Sequence, residues 1–60
     1  MAYQAQVIIP IIDGTTRVWR RGAEVGSFEK AEEQRKAFSS YINDVNKFHN
    51  VDAFSIVAEV

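Results

Sequence analysis

The dipeptide Asp13-Gly14 constrains the fold of this chain more than any other feature. It separates two segments rich in β-branched and apolar residues, 3–12 and 15–25. A tight turn between antiparallel strands requires two residues that accept positive φ, and Asp-Gly satisfies this requirement. The sequence therefore predicts a β-hairpin with a two-residue turn.

The first strand of this hairpin carries apolar side chains on both of its faces. Side chains alternate along a strand, so the odd and even positions form separate rows. The odd row comprises Tyr3, Ala5, Val7, Ile9 and Ile11. The even row begins with Gln4 and Gln6 and continues with Ile8, Pro10 and Ile12. A strand that is apolar on both sides needs cover on both sides.

From Ser27 onward, the period of the apolar residues becomes helical. Spacings of three, four and seven connect Ala31, Phe38, Tyr41, Ile42, Val45 and Phe48. Acidic residues stand near the start and Lys47 and His49 near the end, as the helix dipole favours. The pattern predicts one helix over residues 31–48, with Asn50 as a left-handed terminating residue.

The last segment, 51–60, predicts a third strand. Its apolar alternation places Phe54, Ile56, Ala58 and Val60 on a core face, opposite Ala53, Ser55, Val57 and Glu59. The expected fold class is α+β. One domain, 1–60, is expected to form a two-layer ββαβ arrangement, in which a single helix covers one face of a three-stranded, mainly antiparallel sheet.

The strand order that we favour places the first strand in the centre, because every pairing is then antiparallel. Pro10 conflicts with this order, since a central strand must donate hydrogen bonds on both sides and proline has no N–H. A bulge at Pro10, or an edge position for the first strand, would remove the conflict.

A single helix leaves the other face of the sheet uncovered. Counting back from a two-residue turn pairs Ile9 with Val18 and Ile8 with Trp19. The residues expected on the uncovered face are Ile8, Pro10, Ile12, Trp19 and Val57, with Arg17 and Arg21 at its rim. A three-residue turn would instead bring Trp19 opposite Ile9, into the core. The uncovered patch would then shrink to Ile8, Ile12 and Val18.

Composition argues against stabilisation by cross-links and against catalysis. The chain has 60 residues, one histidine and no cysteine, so disulfides and thiolate metal sites are excluded. His49 stands at a helix end, and Ser39 and Ser40 have no base within reach in the sequence. We expect no enzyme, no metal and no cofactor. A domain this small is marginal alone and commonly gains stability by association.

These features lead to two hypotheses of function. The first is a non-enzymatic module that self-associates through the uncovered sheet face, most simply as a homodimer, and binds a protein partner. The alternative is nucleic-acid binding by the Trp19 and arginine strip of the second strand, although a net charge of -1 does not favour it. Membrane insertion is not expected, and the absence of cysteine fits a cytoplasmic location.

The order strand, Asp-Gly hairpin, strand, helix, strand resembles that of small phage-encoded inhibitors that dimerise and block a host enzyme. The resemblance is topological and extends to no residue motif. It implies a phage or mobile-element accessory protein. The near-neutral charge departs from the strongly acidic character of inhibitors that mimic DNA.

Overall fold

A computed structural model describes residues 1–11 and 13–60. Its elements are β1 (Tyr3–Pro10), β2 (Thr16–Arg21), α1 (Phe28–Ala37), α2 (Ser39–His49) and β3 (Phe54–Glu59). The strands form one antiparallel sheet in the order β2-β1-β3. The α+β class and the central position of the first strand are confirmed.

Pro10 occupies the central strand without removing a ladder hydrogen bond. The N–H of Ile11 donates to the carbonyl of Thr15 at 2.7 Å, so odd-numbered residues bond to β2 at this end of β1. The nitrogen of Pro10 therefore points to the β3 side. Pairing with β3 has already ended there, at Ile8 opposite Phe54, and no donor is missed.

The hairpin turn differs from the prediction. Because Ile11 bonds to Thr15, three residues and not two stand between the paired positions. Gly14 has φ +88°, a left-handed conformation that glycine adopts without strain. The Asp13 carboxylate accepts hydrogen bonds from the Thr15 backbone N–H at 3.1 Å and hydroxyl at 2.7 Å. The predicted two-residue turn is wrong, while Ile12 lies outside the described residues.

The pairing of β1 with β2 contains a bulge. Ile8 lies opposite Val18, but the next residue of β1, Val7, lies opposite Arg20. Trp19 is therefore the extra residue of the bulge. In such a bulge two residues of one strand oppose a single residue of the other, and the local twist increases.

The predicted single helix is divided at Phe38. The Phe38 N–H is shared between the carbonyls of Gln34 and Arg35, both at 3.2 Å. Ser39 and Ser40 follow directly, and serine side chains compete with the helix for backbone hydrogen bonds. The division lets α1 pack on β1 and β3 while α2 contributes Val45 to the core.

The core lies between the sheet and the helices. Its buried members are Val7, Ile9, Val45 and Ala53, surrounded by Phe38, Tyr41, Ile42 and Val51. Ala5 and Ala31 are fully buried where α1 crosses the sheet. The small size of these two side chains allows the helix and the strand to approach closely.

The two faces of β3 are reversed relative to the prediction. Ser55 and Val57 lie opposite Val7 and Ala5, and directly paired residues of antiparallel strands share a face. They therefore point toward the helices. There the Arg35 guanidinium donates a hydrogen bond of 3.4 Å to the Ser55 hydroxyl. The alternate residues, predicted to lie in the core, point away from the helices.

Candidate interaction surface

The sheet face that points away from the helices is the candidate functional surface, and we call it the outer face. At its centre, Ile8 lies between Val18 of β2 and Phe54 of β3. Strand alternation and pairing assign to it Gln4, Gln6, Ile8, Pro10, Thr16, Val18, Arg21, Phe54, Ile56 and Ala58. No helix described in the structure covers this face.

The outer face is apolar at its centre and nearly free of charge. Phe54 and Ile56 are 45% and 37% exposed, whereas Ile8, in the central strand, is only 7% exposed. Arg21 is the one charged side chain among the strand residues assigned to this face. Depletion of charge around an apolar centre is typical of the core of a protein interface.

Two glutamines form the polar end of the outer face. The Gln6 side-chain amide donates to the Gln4 side-chain oxygen at 2.9 Å, and Gln4 in turn donates to the Gly22 carbonyl at 3.0 Å. Gln4 is buried and partnered. A second molecule could cover this end without leaving the Gln4 amide unsatisfied.

Trp19 does not lie on the outer face as predicted. Its indole N–H donates to the Tyr41 hydroxyl at 2.7 Å, and its ring meets the His49 ring edge-on at a centroid distance of 5.5 Å. The bulge directs Trp19 and Arg20 to the same side, and the Arg20 guanidinium lies 5.0 Å from the Tyr41 ring centroid. Trp19 is a half-exposed residue that joins β2 to α2, and it is neither an outer-face anchor nor part of the core.

The remaining predicted site residues are divided between the two sides of the sheet. Arg17 pairs with the core residue Ile9 and Val57 with Ala5, so both lie on the helix side. On the outer face the structure places Ile8, Pro10 and Arg21. The predicted grouping of Trp19 with Arg17 and Arg21 on one face is therefore wrong.

Sequence reasoning missed the β3 contribution to the outer face. Alternation along the last strand predicts Phe54, Ile56 and Ala58 on the core face, whereas the structure places them on the outer face. The signal that could have corrected this is side-chain size. A helix that crosses a sheet closely requires small residues beneath it, and the alternative row contains Ala53 and Ser55.

A single ion pair is present among the described residues. Arg35 donates to the Glu32 carboxylate one turn earlier in α1. This side-chain hydrogen bond lowers the pKa of Glu32 and raises the pKa of Arg35. Arg35 also borders an open groove of about 440 Å³ between the helices and β3, whose other lining residues are Lys36, Ser39, Ile42, Asn43, Phe54 and Ser55.

The described part of the chain presents no assembled metal-binding group. Nowhere in residues 1–11 and 13–60 do three or more His, Asp or Glu side chains stand close enough to hold an ion. His49 lies between the Trp19 and Phe48 rings.

Comparisons with family models, with curated proteins and with solved structures found no match. Neither helix of the described chain is long and apolar enough to cross a membrane.

Proposed function

We propose that this protein is a non-enzymatic interaction module that self-associates through its outer face and binds a protein partner. The observation that carries the proposal is an apolar sheet face, centred on Ile8, Phe54 and Ile56, that no other part of the described chain covers. Contiguous apolar surface on a small domain is typically a contact site.

The dimensions of the molecule support a second copy as the occupant. The molecule measures 33 × 23 × 12 Å. The projection of the whole molecule along its shortest axis therefore covers roughly 700 Å², comparable with the ~800 Å² that each partner contributes to an interface of standard size. A two-fold axis through the outer face would bury this surface in both molecules and close the assembly.

The charge of the face also supports a symmetric dimer. A two-fold axis brings like residues near one another, so a strongly charged face would repel its own copy. The outer face has one charged residue, Arg21, which pairs with Gln6 away from the Ile8 and Phe54 centre. In such a dimer the two Arg21 side chains lie at opposite rims of the interface and remain hydrated, while the apolar centres of the two outer faces come into contact.

A protein partner would bind a different part of the surface. Phe48 is 86% exposed at the end of α2, and half-exposed Trp19 lies beside it across the His49 ring. Arg20, stacked over Tyr41, adds a positive charge to this aromatic group. Exposed aromatic residues beside arginine are the composition of binding hot spots, and a dimer would present two such groups.

The decisive experiment is the solution mass of the Ile56→Lys variant. Ile56 is exposed enough for a lysine to reach water in the monomer, so the fold should survive. In a face-to-face dimer the substitution buries two ammonium groups, and we expect the outer-face contact to be lost. Sedimentation equilibrium should show half the wild-type mass at equal concentration, with an unchanged far-ultraviolet circular dichroism spectrum.

The matched control is Phe48→Lys, which makes the same kind of substitution at an exposed apolar residue on α2. Its mass should equal that of the wild type. A wild-type mass of 6.8 kDa at high micromolar concentration would contradict the proposal. An Ile56→Lys variant that keeps the wild-type mass would contradict it equally.

A further inference from the structure

The two edge strands of the sheet differ in how they are protected from further pairing. β2 contains a bulge and three arginines, Arg17, Arg20 and Arg21, and both features discourage the addition of another strand. β3 has the sequence FSIVAE. It contains no proline, lysine or arginine, and its pairing with β1 is regular from Phe54 to Glu59. The β3 edge is thus open to pairing.

The hydrogen bonds of β1 show which backbone groups of β3 are free. Tyr3 and Ala5 bond toward the β2 side, through Val25 and Gly22. Even-numbered residues of β1 therefore bond toward β3, where their partners are also even-numbered. The backbone N–H and C=O groups left at the open edge of β3 are those of Ser55, Val57 and Glu59.

These free groups define a self-complementary register. If a second β3 pairs antiparallel about a two-fold axis at Val57, each Val57 bonds to the partner's Val57. Ser55 then bonds to the partner's Glu59. In this register all three free residues on each chain use both their N–H and their C=O groups.

The same register brings opposite charges together. The partner's Glu59 lies across from Ser55, on the helix side of the sheet. Ser55 lines the open groove that Arg35 and Lys36 border, and its hydroxyl lies 3.4 Å from the Arg35 guanidinium. The two-fold axis repeats this contact, so each of the two carboxylates meets a groove bordered by Lys36 and by Arg35, which already pairs with Glu32.

From the open edge, its register and its charges, we propose that β3 pairs with β3 of a second copy, centred on Val57, to form a continuous six-stranded sheet. This interface goes beyond the outer-face contact and does not depend on it. In-sheet pairing places its two-fold axis perpendicular to the sheet, whereas the outer-face axis lies parallel to it. We place the two axes so that they intersect, because perpendicular two-fold axes that cross generate a closed tetramer, whereas axes that do not cross generate an open assembly.

The test is a comparison of solution masses between two single variants and their combination. Glu59→Lys places a third positive charge in each groove and should weaken edge pairing at least tenfold, leaving outer-face dimers. Val18→Lys, which places a lysine on the outer face but outside β3, should leave edge dimers. The double variant should sediment at the protomer mass of 6.8 kDa. The wild type should sediment at four times that mass.

A charge exchange provides the internal check. Adding Lys36→Glu to Glu59→Lys restores an attractive pair and should recover the mass lost in the single variant. Glu24→Lys makes the same charge change at an exposed residue away from β3 and should leave the mass unchanged. Val57→Pro removes an N–H that points only to the open edge, so it should also abolish edge pairing.

The two proposals fail in different ways. If Glu59→Lys and Val57→Pro both keep the wild-type mass, edge pairing is wrong, whatever Val18→Lys does. If Val18→Lys keeps the wild-type mass while Glu59→Lys lowers it to that of the protomer, edge pairing holds and the outer-face contact is wrong. Failure of Lys36→Glu to recover the Glu59→Lys mass would overturn the assigned register.

Discussion

The two faces of the sheet are both apolar, yet they use different residues. The helix side packs Val7, Ala5 and small residues of β3 against Ala31 and Val45. The outer face exposes larger side chains, with Phe54 at 45% and Ile56 at 37%. Along β3, therefore, the covered row of Ser55 and Val57 has smaller side chains than the uncovered row of Phe54 and Ile56.

This difference separates two roles of hydrophobic residues. Small side chains on the helix side let α1 approach the sheet closely, and their contribution is to the stability of the monomer. The large residues of the outer face gain little burial within the described monomer. Their contribution becomes large only when another molecule covers them, so substitutions on the two faces should change different measured quantities.

The largest expected effect comes from placing a lysine on each face. Val7 is fully buried, so Val7→Lys buries an unpaired ammonium at a cost of several kcal/mol. This equals or exceeds the ~3–5 kcal/mol that the core of so small a domain supplies. Circular dichroism should show an unfolded Val7→Lys chain and a folded Ile56→Lys chain. Equal unfolding of both variants would remove the distinction between the faces.

A smaller effect is expected from enlarging an alanine on each face. Ala31 is the fully buried residue of α1, and Ala31→Leu should lower the free energy of unfolding by about 1–3 kcal/mol through overpacking against the sheet. Ala58→Leu adds apolar surface to the outer face, where space is open, and should leave monomer stability unchanged or strengthen association. Urea titration read by circular dichroism measures both. A stable Ala31→Leu variant would refute close packing beneath α1.

The hydrogen bond between Trp19 and Tyr41 should contribute less. It is exposed, so Tyr41→Phe should cost about 0.5–1 kcal/mol of unfolding free energy. Trp19→Phe should cost a similar amount and leave the solution mass unchanged, because Trp19 lies on the helix side. In a double-mutant cycle the two losses should not add. If the solution mass of the Trp19→Phe variant is lower than that of the wild type, Trp19 takes part in self-association and this assignment is wrong.

The smallest effect belongs to the hairpin turn, which lies outside both faces. Hydrogen bonds from Thr15 hold the pKa of Asp13 below its ordinary value of 3.8. A lowered pKa in the folded state favours folding at pH values above 3.8, and this contribution is lost as the pH falls through the folded-state pKa. Nuclear magnetic resonance titration of the Asp13 carboxyl should show this, and Thr15→Val should raise the pKa toward 3.8 without changing the solution mass.

Local patterns in the sequence were sufficient for the topology. The Asp13-Gly14 signal located the hairpin, and alternation located β3. The turn length was not accessible, because an Asp-Gly pair serves both a two-residue turn and a three-residue loop with a left-handed glycine. The bulge at Trp19 added a second change of register, and Trp19 consequently lies on the opposite side of the sheet from its prediction.

The candidate site was only partly predictable, for a physical reason. Ile8 was assigned to the outer face correctly because β1 has apolar residues on both sides. Phe54 and Ile56 were assigned to the core because hydrophobicity was used to choose the face of β3. In this fold, two contacts set which row of β3 points toward the helices. One is the limited space between α1 and the sheet, and the other is the hydrogen bond of 2.7 Å from the Ala53 N–H to the side-chain oxygen of Asn46. Those contacts join distant parts of the chain, and period-two alternation carries no information about them.

The central claim, that a second molecule covers the outer face, is tested most directly by a soluble paramagnetic agent in nuclear magnetic resonance. Signals of the Ile56 and Val18 methyl groups should be shielded at high protein concentration and broaden on dilution. The methyl group of Ala37, which is exposed on α1, should broaden at every concentration. If the Ile56 and Val18 methyls broaden as strongly as that of Ala37 at high concentration, the outer face is open to solvent and the account is contradicted.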